Sequence, residues 1–125
     1  MSKTTELRKV LNSLFETEID EVHYDAVDDD APYPHLQYEV REILYKDGKT
    51  VIDLEVNVFD YGTSSRVIEV LADDLQDLLH KYYFINDKIQ FTCYKSTRNI
   101  VEEEDKKIRR RRLTFEIQLH ELKGE

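Results

Sequence analysis

The alternation of apolar and polar residues between Thr50 and Tyr82 predicts a strand, a short turn and a helix. The first part has the period of two of a half-buried strand, with apolar side chains at Ile52, Leu54, Val56 and Val58. The second part repeats at steps of three and four, as one helix face does, through Val67, Ile68, Leu71, Leu75, Leu78, Leu79 and Tyr82. We expect this helix to end near Tyr83 and to cover the apolar face of the strand.

The same patterns predict the remaining elements. A first helix is capped by Thr4 or Thr5 and ends near Thr17. Strands are expected over residues 21–26, 35–45, 88–95 and 107–122, with a bulge near Arg41 and Glu42 where the apolar phase shifts by one. The pair Asp47-Gly48 favours a type I′ turn, so the second and third strands should form a hairpin with unusually long arms.

The order of elements defines the fold class. It reads α-β-β-β-α-β-β, and hairpin connections dominate it. We therefore predict an α+β two-layer sandwich, in which a mostly antiparallel sheet of four to five strands carries two helices on one face. The length of 125 residues and the absence of a linker indicate a single domain over residues 1–125.

The composition of the chain indicates the kind of fold and the cell compartment to expect. Hydrophobic residues make up 40% of the chain, enough for one core, and charged residues make up 36%. The lone cysteine, Cys93, excludes an internal disulfide and falls in an alternating strand, where it is expected to be a small core residue. No apolar run is long enough to cross a membrane and no signal-peptide core is seen, so we expect folding in a reducing cytoplasm and no membrane partner.

The residues that carry chemistry do not group into a known pattern. The three glycines are too far apart for a phosphate-binding loop, and the four histidines lack metal-ligand spacing. The two acidic loops are typical of solvated surface, and neither has the spacing of a calcium-binding loop. We expect no catalytic, cofactor-binding or metal-binding residues, and therefore no enzyme.

One basic segment, Lys106 to Arg112, stands out in a chain whose net charge is −9. Its arginines begin a strand, so their side chains should alternate between the two faces of the sheet. Three interpretations stay open: pairing within the subunit with the acidic segment Glu102 to Asp105, pairing with an acidic loop of a neighbouring subunit, and contact with nucleic-acid phosphates. A basic excess across the whole chain, which generic DNA binding favours, is absent.

Three stretches resemble a known family: HYDAVDDDAPYPHLQYEV, LEVNVFDYGTSSRVIEVLADDLQDLL and EEEDKKIRRRRLTFEIQLHE. Together they are similar to the tail terminator of siphophages and prophages, which is also called the tail completion or tail-to-head joining protein. The resemblance implies an α/β fold and a structural role without catalytic residues. It implies a ring, typically of six copies, that ends the tail tube and meets the head connector while DNA passes through its lumen. The expected locations are the head-proximal end of the virion tail and, during assembly, the host cytoplasm.

A ring needs two different complementary surfaces on each copy, and the separated charges of this chain can supply them. The residues that we expect at subunit or partner contacts come from the two acidic loops, the polar face of the hairpin and the basic run: Asp28, Asp29, Asp30, Glu39, Arg41, Asp53, Glu55, Glu102, Glu103, Glu104, Arg109, Arg110, Arg111 and Arg112. Two alternatives remain: a related neck or head-completion protein, and a small cytoplasmic adaptor or nucleic-acid-binding module that uses Arg109 to Arg112.

Overall fold

The computed structural model describes residues 2–122, and in that part of the chain the elements follow the order α-β-β-β-α-β-β-β. The predicted domain also includes residues 1 and 123–125, which lie outside the described part. The elements are α1 (Lys3–Glu16), β1 (Val22–Tyr24), β2 (His35–Lys46), β3 (Lys49–Tyr61), α2 (Arg66–Leu79), β4 (Tyr82–Ile85), β5 (Ile89–Val101) and β6 (Ile108–Glu121).

The described strands form one sheet in the order β1-β2-β3-β6-β5-β4. Only the β1–β2 pair is parallel, and the other neighbours are antiparallel. The predicted α+β class with a mostly antiparallel sheet and two helices is confirmed. The sheet has six strands in the described part rather than the predicted four to five.

Both helices contribute to one hydrophobic core on one face of the sheet. From α1 come Leu7, Leu11 and Phe15, and the Phe15 ring lies 4.9 Å from the ring of Tyr38 on β2. From α2 come the predicted apolar positions at Ile68, Leu71, Leu75 and Leu79, which pack over the central strands. We call the opposite side, which neither helix covers, the open face.

The sixth strand arises because α2 ends earlier than predicted. His80 leaves the helical region with ψ of 121°, and Lys81 takes a φ of 65°, which reverses the chain. The next residues, Tyr82–Ile85, then pair with β5 instead of extending the helix. At the other helix, the capping side chain is Ser2 rather than Thr4 or Thr5, because the Ser2 hydroxyl accepts hydrogen bonds from the backbone N–H groups of both threonines.

The hairpin of β2 and β3 has the predicted turn and bulge. Asp47 and Gly48 have φ of 54° and 80°, as a type I′ turn requires, and the register shifts between Glu42 and Leu44. The hairpin does not stand free of the body, however, because β3 pairs with β6 from Lys49 to Tyr61. Within residues 2–122, the open side of this hairpin is the outer edge of β2, and β1 covers just its first part, at Leu36 to Tyr38.

Candidate subunit interface

The arginine run begins β6, and its side chains alternate between the faces of the sheet as predicted. Arg111 pairs with Val58 of β3 and lies on the helix-covered face. Arg110 and Arg112 pair with Phe59 and Asn57 and lie on the open face. The run is therefore divided between two sides of the sheet and does not form a single basic patch.

Arg111 ties the sheet to α2. Its guanidinium forms an ion pair with Glu69 in the first turn of α2, and its side chain is only 8% exposed. Arg98 of β5 joins the same cluster, with Nη2 2.9 Å from Glu69 and Nη1 2.5 Å from Asp73, and the hydrogen bond with Asp73 raises the pKa of Arg98. We predicted Arg111 at a subunit contact, but the structure places it inside the subunit because its strand position faces the helix.

The other arginines of the run also have partners in the same subunit. Arg110 donates to Asn57 Oδ1 at 2.9 and 3.1 Å and to Glu103 at 3.1 Å, and its guanidinium lies over the Phe59 ring. Arg109 donates to the backbone oxygen of Thr63 at 2.8 Å. Arg112 lies 3.8 Å from Glu55.

This geometry bears on two of the three interpretations of the basic segment. The pairing within the subunit is present between Arg110 and Glu103, and again between Lys106 and Glu102 at 3.6 Å. Contact with phosphates stays a prediction, because the Lys106 pair is exposed and weak and because Arg109 has only a backbone oxygen as its hydrogen-bond partner in residues 2–122. Contact of the exposed members with a neighbouring subunit stays a prediction.

Both acidic loops lie at one end of the sheet, which we call the acidic end. The loop with Asp28, Asp29 and Asp30 leads into the start of β2, and Glu102 to Glu104 follow the end of β5. The antiparallel order places these two points at the same end, away from the β2–β3 turn. The three aspartates are exposed, and the basic segment that begins β6 lies at the same end, so charges of both signs occur there.

The polar face of the hairpin is arranged as predicted, and its contact with a partner stays a prediction. Glu39, Arg41, Asp53 and Glu55 all lie on the open face. Arg41 reaches Asp53 at 3.3 Å across the β2–β3 pair, and Glu55 accepts a hydrogen bond from Asn57 at 3.0 Å. These contacts are on a surface that neither helix covers, so the pairs are open to exchange with a partner's charges.

An aromatic cluster near the acidic end was not predicted. The ring of His35 lies 4.9 Å from Tyr33 and 4.8 Å from Phe59, and Tyr33 lies 5.7 Å from the half-exposed Tyr61. His35 is itself buried, donates from Nδ1 to the Pro32 oxygen at 3.0 Å, and has its pKa lowered by that burial. The hairpin register, which pairs His35 with Phe59, was the signal that could have revealed the cluster.

The residue types that can carry chemistry, the Cys93 thiol and the possible metal ligands, lie as follows. Burial raises the pKa of the Cys93 thiol to about 12, so the side chain is a protonated core group at neutral pH. Among residues 2–122, no three His, Cys, Asp or Glu side chains converge in an arrangement suited to a metal ion. Neither helix in this part of the chain has the length and apolar character needed to span a membrane.

Comparison with known proteins finds similarity in the fold. No family model matches the chain, and no curated protein matches its sequence. A solved structure that matches is a chain from the "Virion of native gene transfer agent (GTA) particle", with a TM-score of 0.64 and 20% sequence identity. The match covers 95% of this chain and 92% of that one. At this identity the likeness shows a shared fold, and it extends over nearly the whole of both chains.

Proposed function

We propose that this protein is a structural component of a phage-like virion, and that it forms a ring that caps the tail tube, stops its polymerisation and joins the tail to the head. The observation that carries the proposal is the fold shared with a chain of a gene transfer agent virion over 95% of this chain. The similarity of three sequence stretches to tail terminators points in the same direction.

The coverage of the fold match matters to the proposal. A shared core with large additions on either side leaves room for different roles, but here 92% of the virion chain is matched as well. Function resides in sites that are placed on a fold, so the fold alone does not assign the position in the particle. The tail-capping role rests on the sequence resemblance.

The surfaces of the subunit support assembly rather than catalysis. A ring uses heterologous contacts, in which two different patches of one copy meet on neighbouring copies. The acidic end and the open face add charged surface that can contact other copies or the partner proteins. The partners in this proposal are other copies of the chain, the tail tube protein and the head connector, with DNA passing through the lumen without sequence-specific contacts.

The test is electron microscopy of particles made after the reading frame has been interrupted in the producing host. The proposal predicts separate heads and tails, with tubes that are overlong or ragged at the head-proximal end. A plasmid that supplies the intact frame should restore joined particles, and a plasmid with an early stop codon should not.

Other outcomes separate the remaining candidates. Heads that leak DNA beside tails of normal length would replace the tail role with a neck or head-completion role. Normal infectious particles would remove the virion role and leave the adaptor or nucleic-acid-binding module, which would then be tested by salt-dependent DNA binding of the isolated chain.

A further inference from the structure

Each edge of the sheet is covered over only part of its length. On one side, β1 pairs with β2 at Leu36 to Tyr38 and leaves Glu39 to Lys46 without an outer neighbour. On the other side, β4 pairs with β5 at Gln90 to Cys93. The N–H of Lys95 is bound by the ring of His80. In residues 2–122 no other strand pairs with the outer side of residues 39–46 or 96–101, which we call the β2 free edge and the β5 free edge.

The two free edges are placed at diagonally opposite corners of the sheet. The register puts Glu39, Glu55, Thr114 and Thr97 in one row across the four central strands. From that row the β2 free edge runs towards the β2–β3 turn, and the β5 free edge runs towards the acidic end. The covered half of each edge is thus opposite the free half of the other.

The edges also match in direction. Strand β2 is antiparallel to β3, β3 to β6, and β6 to β5, so β2 and β5 run in opposite directions. A second copy placed beside the first, with its open face on the same side, therefore brings its β5 free edge antiparallel to the β2 free edge. Antiparallel pairing is the geometry in which neighbouring strands hydrogen-bond with perpendicular, well-aligned bonds.

Each free edge carries large apolar side chains that are exposed in the single subunit, beside charged residues such as Arg41 and Lys46 on β2. Proteins normally protect exposed edges with lysine, proline or short strands. Here Ile43, Leu44 and Tyr45 are 58%, 56% and 62% exposed, and Ile100 is 70% exposed. Each edge carries a bulge, at residues 42–44 and 95–97, which bends the strand and opposes pairing with an arbitrary strand.

We propose that this chain assembles head-to-tail by antiparallel pairing of the β2 free edge of one copy with the β5 free edge of the next copy. The inference rests on the proposed ring and names the contact that builds it. Because the contact joins two different surfaces, it repeats around a ring, and when the ring closes the β2 free edge and the β5 free edge of every copy are paired.

The corner positions of the free edges give the pairing the stagger that closure requires. A sheet closes into a barrel only if its strands tilt and its register shifts along the way around. The two edges overlap when neighbouring copies are offset by about five residues, or ~17 Å along the strands. Four strands per copy span ~19 Å across the sheet. This ratio corresponds to a tilt of roughly 40°, inside the range of about 35–45° found in closed barrels.

The direct test is cross-linking between single-cysteine copies. In a Cys93→Ala background, one variant carries Leu44→Cys and a second carries Asn99→Cys, both on the open face. A short bismaleimide spans the junction even if the register differs by a residue. We expect a covalent dimer in the mixture of the two variants and none in either variant alone. The matched control replaces Asn99→Cys with Val67→Cys, an exposed position on α2, and should give no dimer.

A second measurement does not depend on cysteines. By sedimentation, Ile43→Lys or Ile100→Lys should weaken self-association about tenfold or more, since a charge on an edge opposes strand pairing. Val67→Lys, which changes another exposed apolar residue away from both edges, should leave association within about twofold. Circular dichroism verifies that each variant is folded.

Three outcomes overturn the edge pairing. The first is a dimer in a single-variant sample, which indicates a two-fold contact between identical edges. The second is the absence of a mixed dimer at every protein concentration up to the millimolar range. The third is that Ile100→Lys and Val67→Lys weaken self-association equally. None of these results alters the particle phenotype, so the proposed function is judged separately by the microscopy of interrupted particles. A joined-particle defect without the mixed dimer would retain the function and reject the edge pairing.

Discussion

Replacing Glu69 by alanine should loosen α2 from the sheet, because it removes the carboxylate that two arginines share. Arg111 would remain with its side chain 8% exposed, and within residues 2–122 its remaining hydrogen-bond partner is the backbone oxygen of Arg110, at 3.0 Å. Breaking a fully buried ion pair costs about 3–5 kcal/mol. Glu69 is 44% exposed, so water compensates in part, and we expect a loss of about 2–3 kcal/mol in the free energy of unfolding.

The measurement is urea unfolding followed by circular dichroism, with Asp73→Ala as the matched control on the same helix. Asp73 also contacts Arg98 but is 64% exposed, so its loss should cost about 1 kcal/mol or less. For a chain of this size the Glu69→Ala loss corresponds to a fall in Tm of roughly 10 °C. A double variant with Arg111→Met should be less destabilised than the sum of the two single changes. Equal losses in Glu69→Ala and Asp73→Ala would refute the assignment of this pair as the link between helix and sheet.

Two further predictions concern buried titratable groups. Burial lowers the pKa of His35 in the folded chain, so the unfolded chain binds a proton at this residue more readily than the folded chain does. The contribution of His35 to the free energy of unfolding should therefore be full above about pH 6.5 and should be lost as the pH drops through the lowered pKa. Urea midpoints between pH 7.5 and 5 should therefore fall less in His35→Gln than in the parent chain, and equal slopes would contradict this reasoning. The thiol of Cys93, whose pKa is about 12, should resist iodoacetamide at pH 8 in the native protein and react in urea. Rapid native labelling followed by mass spectrometry would show that the core opens.

Most of the fold was predicted correctly from the strand periodicity. Alternation at Ile52 to Val58 and in β6 located the central strands, and Asp47-Gly48 located the turn. The strand β4 was not predicted, because Tyr82 continues the three-and-four spacing of α2. The chain reversal before β4 also depends on a positive φ at Lys81, which lysine rarely adopts. A four-residue strand also leaves too short a pattern to detect.

The surfaces were harder to predict than the elements. Alternation correctly divided Arg110 and Arg111 between the two faces, but the ion pair of Arg111 with Glu69 joins residues 42 apart in the sequence and depends on where α2 crosses the sheet. The free edges depend on strand order, which the sequence pattern left open. Local periodicity determines which face of a strand is buried, whereas the neighbour of an edge strand is a long-range property.

The measurement that tests the central claim most directly is mass spectrometry of phage-like particles purified by density gradient from the producing host. If the protein is a virion structural component, its peptides should co-purify with intact particles and remain after washing in high salt. Gold-labelled antibody against the chain should then mark the junction of tail and head. Absence of the chain from particles that contain the other tail and head proteins would contradict the virion role.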